Sequence, residues 1–165
     1  MRIFTYLIIA LFFINISCKS KKESTKKPST SIDMTKEQLF LPKHTKILEG
    51  SHSNVTKEAY QIITSKEALQ EVYAIINKTR RPGYSIPKID FSKETVIGLF
   101  MGSKTSGGYA ISIDHIDFKP DETLVNIVKK KPSCMATSVM TQPFYIAKIP
   151  KTDTKIVFAD LSNSH

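Results

Sequence analysis

The sequence has few histidines and cysteines, the residues that most often build metal sites, and it carries no recognisable nucleophile motif. It contains only four histidines, and His44, His52, His115 and His165 lack the paired spacing of metal ligands. No segment carries the G-x-S-x-G motif of hydrolases, and Asp114 beside His115 is the nearest approach to a catalytic dyad. Neighbouring side chains of a strand point to opposite faces, so this pair converges only if the strand is bulged. We therefore predict neither an enzyme nor a metal or other cofactor.

Long apolar runs are also missing, except at the N-terminus. A largely apolar stretch at residues 3–16 follows the single charge of Arg2 and leads to Ser17 and Cys18. A cationic start, a short apolar stretch and a small residue at the break are typical of a secretory signal, and a cysteine directly after the break is typical of its lipoprotein form. We predict a lipoprotein signal peptide at 1–17 and lipid attachment at Cys18. A plain signal peptide or an uncleaved anchor is the alternative, although a span needs about twenty apolar residues.

Cysteine is otherwise represented by Cys134 alone, so with Cys18 lipidated a disulfide framework is excluded. Residues 18–38 are rich in Lys, Ser and Thr and have no apolar periodicity, which predicts a disordered tether. Six lysines lie in this tether, where they can attract anionic lipid headgroups, and the remaining positive surplus is spread along the chain. Nucleic-acid binding needs clustered cations together with side chains that contact bases, in a compartment that holds nucleic acid. Because this chain is predicted to be secreted and tethered to a membrane, we predict no nucleic-acid partner.

Residues 39–165 have the length of one globular domain, and their patterns are mainly those of strands. Alternation predicts an opening strand pair at 45–53 and 59–63. A capping box at Thr64 and Glu67 then predicts the start of one helix, which should end near Asn77. The apolar face of this helix comprises Ala68, Leu69, Val72, Tyr73, Ile75 and Ile76.

From Thr95 onward the pattern predicts only strands. Residues 96–101 are apolar at both odd and even positions (both parities), so both faces of the strand are apolar, which favours a central strand covered on both faces. A change of parity within 109–118 predicts a bulge around Asp114 and His115. Further strands are predicted at 124–128, at 139–149 with Pro143 placing this one at an edge or bulge, and at 155–159. The predicted fold class is mainly β with one helix (α+β): an antiparallel sheet folded as a sandwich or half-barrel, with one amphipathic helix packed on it.

Two segments at the strand ends resemble a known family. A glycine followed by a Ser/Thr-Gly-Gly-Tyr loop precedes a Thr-x-Pro-aromatic stretch that runs into Lys-Ile-Pro. The matching residues are Gly102, Ser106, Gly107, Gly108, Tyr109, Thr141, Pro143, Phe144, Lys148, Ile149 and Pro150. These motifs resemble the PrcB C-terminal-like family over roughly 90–158, with Ser106 standing where threonine is usual.

The family is named for a lipoprotein subunit of a surface protease complex. The resemblance therefore implies an accessory protein that binds or stabilises a protein partner in a protease-containing complex, and a secreted or surface protease is the candidate partner. Two alternatives stay open: a protease inhibitor, because the SGGY loop loosely resembles the TTGY-type loop of chagasin-like inhibitors, and an envelope lipoprotein of structural role. The residues directly after Cys18, Lys19-Ser20-Lys21-Lys22, include no acidic side chain, which favours the periplasmic face over the cell surface.

We predict that the glycine loop forms the partner-binding surface together with a long basic loop at 78–90, since loops of this length are uncommon unless they are functional. The predicted binding residues are Ser106, Gly107, Gly108, Tyr109, Arg80, Arg81 and Tyr84. Glycines permit positive φ, and a tyrosine offers an apolar face with a polar tip. In the alternative interpretation, Gly107 and Gly108 form a tight hairpin and Tyr109 fills the core.

Overall fold

The computed structural model describes residues 44–133 and 136–163. Seven strands and one α-helix occur in these residues, followed by a 3-10 turn at Leu161–Asn163. The elements are β1 (Thr45–Gly50), β2 (Glu58–Ile63), α1 (Lys66–Ile76), β3 (Glu94–Met101), β4 (Ala110–Phe118), β5 (Glu122–Lys130), β6 (Phe144–Pro150) and β7 (Lys155–Asp160). The predicted signal peptide, the tether, Cys18 and Cys134 lie outside the described residues.

The strands form two sheets. A four-stranded antiparallel sheet has the order β1-β6-β3-β2, and a three-stranded sheet has the order β4-β5-β7, in which β5 and β7 are parallel. The two sheets pack face to face through one hydrophobic core, while α1 covers the opposite face of the four-stranded sheet through a second core. The predicted fold class is confirmed, with the sandwich form realised.

The central strands explain why apolar residues occur at both parities. In β3, Ile97 and Leu99 belong to the core between the sheets, whereas Val96 and Phe100 belong to the core under the helix. The prediction of a central strand at 96–101 is confirmed. The edge placement predicted for 139–149 is wrong, because β6 begins only at Phe144 and lies between β1 and β3. Pro143 therefore lies directly before the strand, where the sheet requires no main-chain N–H donor from it.

The opening strands β1 and β2 exist, but the prediction that they pair with each other is wrong. They occupy opposite edges of the four-stranded sheet, with β6 and β3 between them. Alternation shows that a segment is a strand with one apolar face, and it does not identify the neighbouring strand.

Helix α1 starts one residue later than its sequence predicts. Its N-cap is Ser65, whose Oγ accepts a hydrogen bond from the Ala68 N–H at 3.2 Å, so the predicted box at Thr64 is wrong. The end is confirmed, with Asn77 as C-cap. Leu69, Val72, Tyr73 and Ile76 are buried, whereas Ile75 is 44% exposed and does not belong to the apolar face. Among the described residues, no helix has the length and apolar character needed to cross a membrane.

Candidate functional site

Both predicted binding segments lie at one end of the four-stranded sheet. At this end β1 and β3 finish and β6 and β2 begin, since Gly50 and Phe100 both pair with Phe144, and Met101 pairs with Glu58. We call this region the loop end and define it as residues 51–57, 77–84, 102–109 and 136–143. The helix runs back to the same end, where the Asn54 side chain donates to the carbonyls of Ile75 and Ile76 at 3.0 and 3.2 Å.

The glycine loop, residues 102–109, is held in place by main-chain hydrogen bonds to two neighbouring segments. The Ser103 N–H donates to the Thr56 carbonyl at 2.9 Å, and Lys104 and Thr141 exchange both main-chain bonds at 2.8 and 2.9 Å. The Thr141 hydroxyl donates to the Ser106 carbonyl at 2.8 Å. The alternative interpretation, in which Gly107 and Gly108 form a tight hairpin, is wrong in this respect, because the loop joins β3 of one sheet to β4 of the other.

The glycines of this loop differ in backbone conformation. Gly102 and Gly108 have φ of +69° and +82°, values that L side chains rarely adopt, whereas Gly107 is not among the positive-φ residues. The expectation of positive φ therefore holds for the second glycine of the pair only. Gly107 instead donates its N–H to the Thr137 carbonyl at 3.0 Å, which ties the loop to the segment before β6.

Tyr109 combines features of both interpretations made for it. It is half-buried and packs against the core between the sheets, as a structural tyrosine would. The Lys104 ammonium nitrogen lies 5.9 Å from its ring centroid, near the outer limit of a cation–π contact. Only part of its ring is therefore accessible to a partner.

The basic loop is ordered around Asn77 and Tyr84. The Asn77 amide donates to the Tyr84 carbonyl at 2.9 Å and accepts from the Tyr84 N–H at 2.7 Å. The Tyr84 ring packs edge-on against Phe144, with centroids 6.4 Å apart. The Arg80 guanidinium lies 4.2 Å from the Tyr84 ring centroid, and exposed Arg81 donates from Nη1 to the Arg80 carbonyl at 2.8 Å. The arginines and the tyrosine thus form one local unit.

Two short segments, residues 51–53 and 141–142, lie between the glycine loop and the basic loop. Residue Gln142 accepts from the Ser53 N–H at 3.0 Å and donates to the Ser51 carbonyl at 2.7 Å, and its neighbour Thr141 bonds to Lys104. A depression of about 390 Å³ next to these hydrogen bonds is lined by His52, Thr79, Arg80 and Arg81. Tyr84 packs with the helix-side core and Tyr109 with the inter-sheet core. The two rings therefore lie on opposite faces of the four-stranded sheet.

Val139 and Met140 are candidate binding residues that the sequence analysis missed. They are 45% and 63% exposed, directly before Thr141, and a Cβ built on Gly107 would lie 3.8 Å from a Val139 methyl group. The sequence analysis placed them in a strand. Pro143 was the available signal, because a proline cannot donate to a sheet ladder and the residues before it are readily left outside the sheet.

A partly exposed ion cluster connects the two sheets next to the loop end. The Lys129 Nζ lies 2.6 Å from Glu58 Oε1 and 2.7 Å from Asp160 Oδ2. Hydrogen bonds from Lys129 and Ser162 lower the pKa of Asp160 to about 2. Burial opposes the charge of Lys129, but its hydrogen bonds to Asp160 and Glu58 outweigh this and raise its pKa. A group that stays charged throughout the neutral range is poorly suited to acid–base catalysis, so the cluster fits a structural role.

The predicted bulge in β4 is confirmed by a register shift between Ile113 and His115. The bulge brings the Asp114–His115 pair together, with Oδ2 and Nδ1 2.7 Å apart, and places His115 Nε2 3.4 Å from Asp117 Oδ2. All three side chains are about half exposed. No serine or threonine hydroxyl of the described chain is hydrogen-bonded to His115, and the described residues contain no group of three or more His, Cys, Asp or Glu able to hold a metal.

Comparison with known families identifies the central part of the domain. Residues 95–150 match the PrcB C-terminal family, which confirms the resemblance over a segment somewhat shorter than 90–158. The match spans β3 to β6 and includes the glycine loop and the Thr-x-Pro-aromatic stretch, but not the basic loop. It indicates an accessory role associated with a protease complex. Searches of the curated proteins and of the solved structures each found no match.

Proposed function

We propose that this protein is a lipid-anchored extracytoplasmic accessory subunit that binds a protein partner in a protease-containing complex, and that it does so through its loop end. The observation that carries the proposal is the exposed apolar pair Val139 and Met140 beside the glycine loop, within the segment matched by the family.

The composition of the loop end supports a protein-binding role. Interfaces typically have an apolar centre and a polar rim, with aromatic residues, methionine and arginine enriched. Here Met140 is the most exposed large apolar side chain in the described part of the chain, and Lys104, Arg80 and Arg81 lie at the same end. The hydrogen bonds that hold the glycine loop also reduce the entropy that binding would cost.

The anchoring part of the proposal rests on the sequence around Cys18, where a short apolar stretch and Ser17 precede the cysteine. The absence of acidic residues among the four positions directly after Cys18 supports the periplasmic face. The protein then acts by binding and not as an enzyme.

Site-specific photocrosslinking in the native envelope tests the proposal. A photoreactive amino acid replaces Met140, and a matched variant carries it at Asp121, an exposed residue of the β4–β5 turn at the opposite end of the molecule. We expect a discrete adduct containing a protease or another subunit of its complex from position 140 and none from position 121. Identical adduct patterns at both positions, or none at 140, would show that the loop end is not the binding surface.

The inhibitor alternative is tested with the same purified protein. A chagasin-like loop would block cysteine or serine proteases in a dose-dependent manner, and Gly108→Ala or Tyr109→Ala would relieve the block. An accessory subunit leaves these proteases active, whereas such inhibition would replace the accessory role by an inhibitory one.

A further inference from the structure

We propose that the depression lined by His52, Thr79, Arg80 and Arg81 binds carboxylates of an acidic segment on the protein partner. The inference rests on the proposed function, because it names the chemistry that the loop end recognises.

The use of arginine in this chain is the first argument. The sequence has three arginines, of which Arg2 lies in the predicted signal peptide, so the globular domain has only the adjacent pair Arg80 and Arg81. The ion pairs between the described cationic and acidic side chains are made by five lysines and His115. Neither arginine is paired with a carboxylate of the described chain. Arginine presents a planar set of donors that matches a carboxylate, which lysine does not.

The geometry of the arginines is the second argument. Arg80 is stacked on Tyr84, and its Nε–H is buried without a hydrogen-bond partner among the described residues. A buried donor without an acceptor is unfavourable, and the charge of a carboxylate bound in the depression would offset part of this cost. Arg81 is held by hydrogen bonds from its Nη1 to the Arg80 and Asn77 carbonyls at 2.8 and 3.3 Å. Both guanidinium groups are therefore positioned before a ligand arrives.

The surroundings of the depression favour a protein over a membrane as the source of the anion. Among the residues that the structure describes, no acidic side chain lines the depression, so these walls do not repel an entering carboxylate. The exposed Met140 lies at the same end of the sheet and supplies an apolar contact that a lipid headgroup would not use.

The test uses the full lipidated protein in a non-ionic detergent, with arginine labelled by ¹⁵N. The Nε–H resonances of Arg80 and Arg81 report directly on the depression. The probe is a blocked peptide with three consecutive glutamates, and its matched control has glutamines in their place. We expect saturable shifts of both resonances with the glutamate peptide and none with the glutamine peptide.

Two variants separate a fitted site from general attraction. Arg81→Lys keeps the charge but loses the planar donors, and we expect about tenfold weaker peptide binding, the range for losing a hydrogen bond to a charged group. Lys88→Gln removes one charge from an exposed position of the same long loop and should change the affinity by less than about twofold, since exposed charges interact weakly. Unchanged melting temperatures verify that both variants are folded.

Several results would overturn the inference: equal losses in the two variants, equal binding of both peptides, or resonance shifts that do not saturate. Shifts caused by phosphatidylglycerol vesicles but not by the glutamate peptide would assign the depression to a membrane surface instead. The peptide assay contains no partner protein, and the crosslinking at Met140 contains no peptide. If the glutamate peptide does not bind but crosslinking at Met140 is specific, only the carboxylate site is refuted and the accessory role stands.

Discussion

Gly102→Ala should strongly destabilise the protein, because this glycine combines a left-handed conformation with close backbone contacts. Its φ is +69°, and a Cβ would lie 2.8 Å from the Glu58 nitrogen and 2.9 Å from the Lys57 carbonyl carbon and the Thr56 oxygen. The left-handed conformation costs an L residue about 1–2 kcal/mol. Overpacking against atoms that cannot rotate away adds about 1–3 kcal/mol.

The sum for Gly102→Ala is about 3 kcal/mol of unfolding free energy, which corresponds to a fall of roughly 10 °C in melting temperature for a domain of this size. Gly107→Ala is the matched control in the same loop. Its φ is ordinary, and its Cβ would meet a side-chain atom, Thr137 Oγ1, at 3.2 Å, which can move by rotation. We expect a loss below about 1 kcal/mol there. Gly108→Ala, with φ of +82° and a Pro132 contact at 3.0 Å, should fall between the two.

Urea unfolding of the three variants and the parent measures these differences by linear extrapolation, with an unchanged m-value as the condition for comparing them. If Gly107→Ala costs as much as Gly102→Ala, or if Gly102→Ala costs less than about 0.5 kcal/mol, the loop does not depend on the conformations described.

Three further predictions concern the ion cluster, the anchor and the half-buried tyrosine. The pKa of Asp160 falls from 3.8 to about 2 on folding, so its contribution to the free energy of unfolding is complete above about pH 5 and is lost progressively as the pH falls toward 2. Asp160→Asn should therefore cost about 1–2 kcal/mol at pH 7 and flatten the acid limb of the stability profile; a parallel profile would contradict this. Cys18→Ser should leave the precursor unprocessed or release the protein from the membrane fraction, and unchanged detergent-phase partitioning would contradict lipidation. Tyr109→Ala should lower the free energy of unfolding by about 2 kcal/mol, whereas Tyr109→Phe should be nearly neutral. The crosslinked adduct at Met140 should decrease in the alanine variant only. An unchanged melting temperature for Tyr109→Ala would show that the ring is not packed.

The candidate site was predictable in part. The basic loop and the glycine loop were predicted from proline, glycine and charge, and the topology places both at one end of the sheet. The exposure of Val139 and Met140 was not predictable from their apolar character, which equally fits a strand. The same limit applies to Gly102, since a sequence marks a glycine without stating which backbone lies against it. The binding role of these residues stays a prediction.

Local patterns in the sequence determined the elements themselves. Apolar residues at both parities marked β3 as central, the change of parity located the bulge before His115, and helical spacing located α1. Each depends on residues a few positions apart, where backbone geometry fixes which side chains share a face.

Only the tertiary structure decided which elements became neighbours. β1 and β2 are consecutive strands, yet they lie at opposite edges of the sheet, and Lys129 meets Glu58 across 71 residues of sequence. A strand pattern encodes an apolar face without naming the strand that pairs with its edge, and many lysines and glutamates could form equivalent pairs. The strand pairing is set by the requirement that all apolar faces be buried at the same time. No local segment of the sequence contains that information.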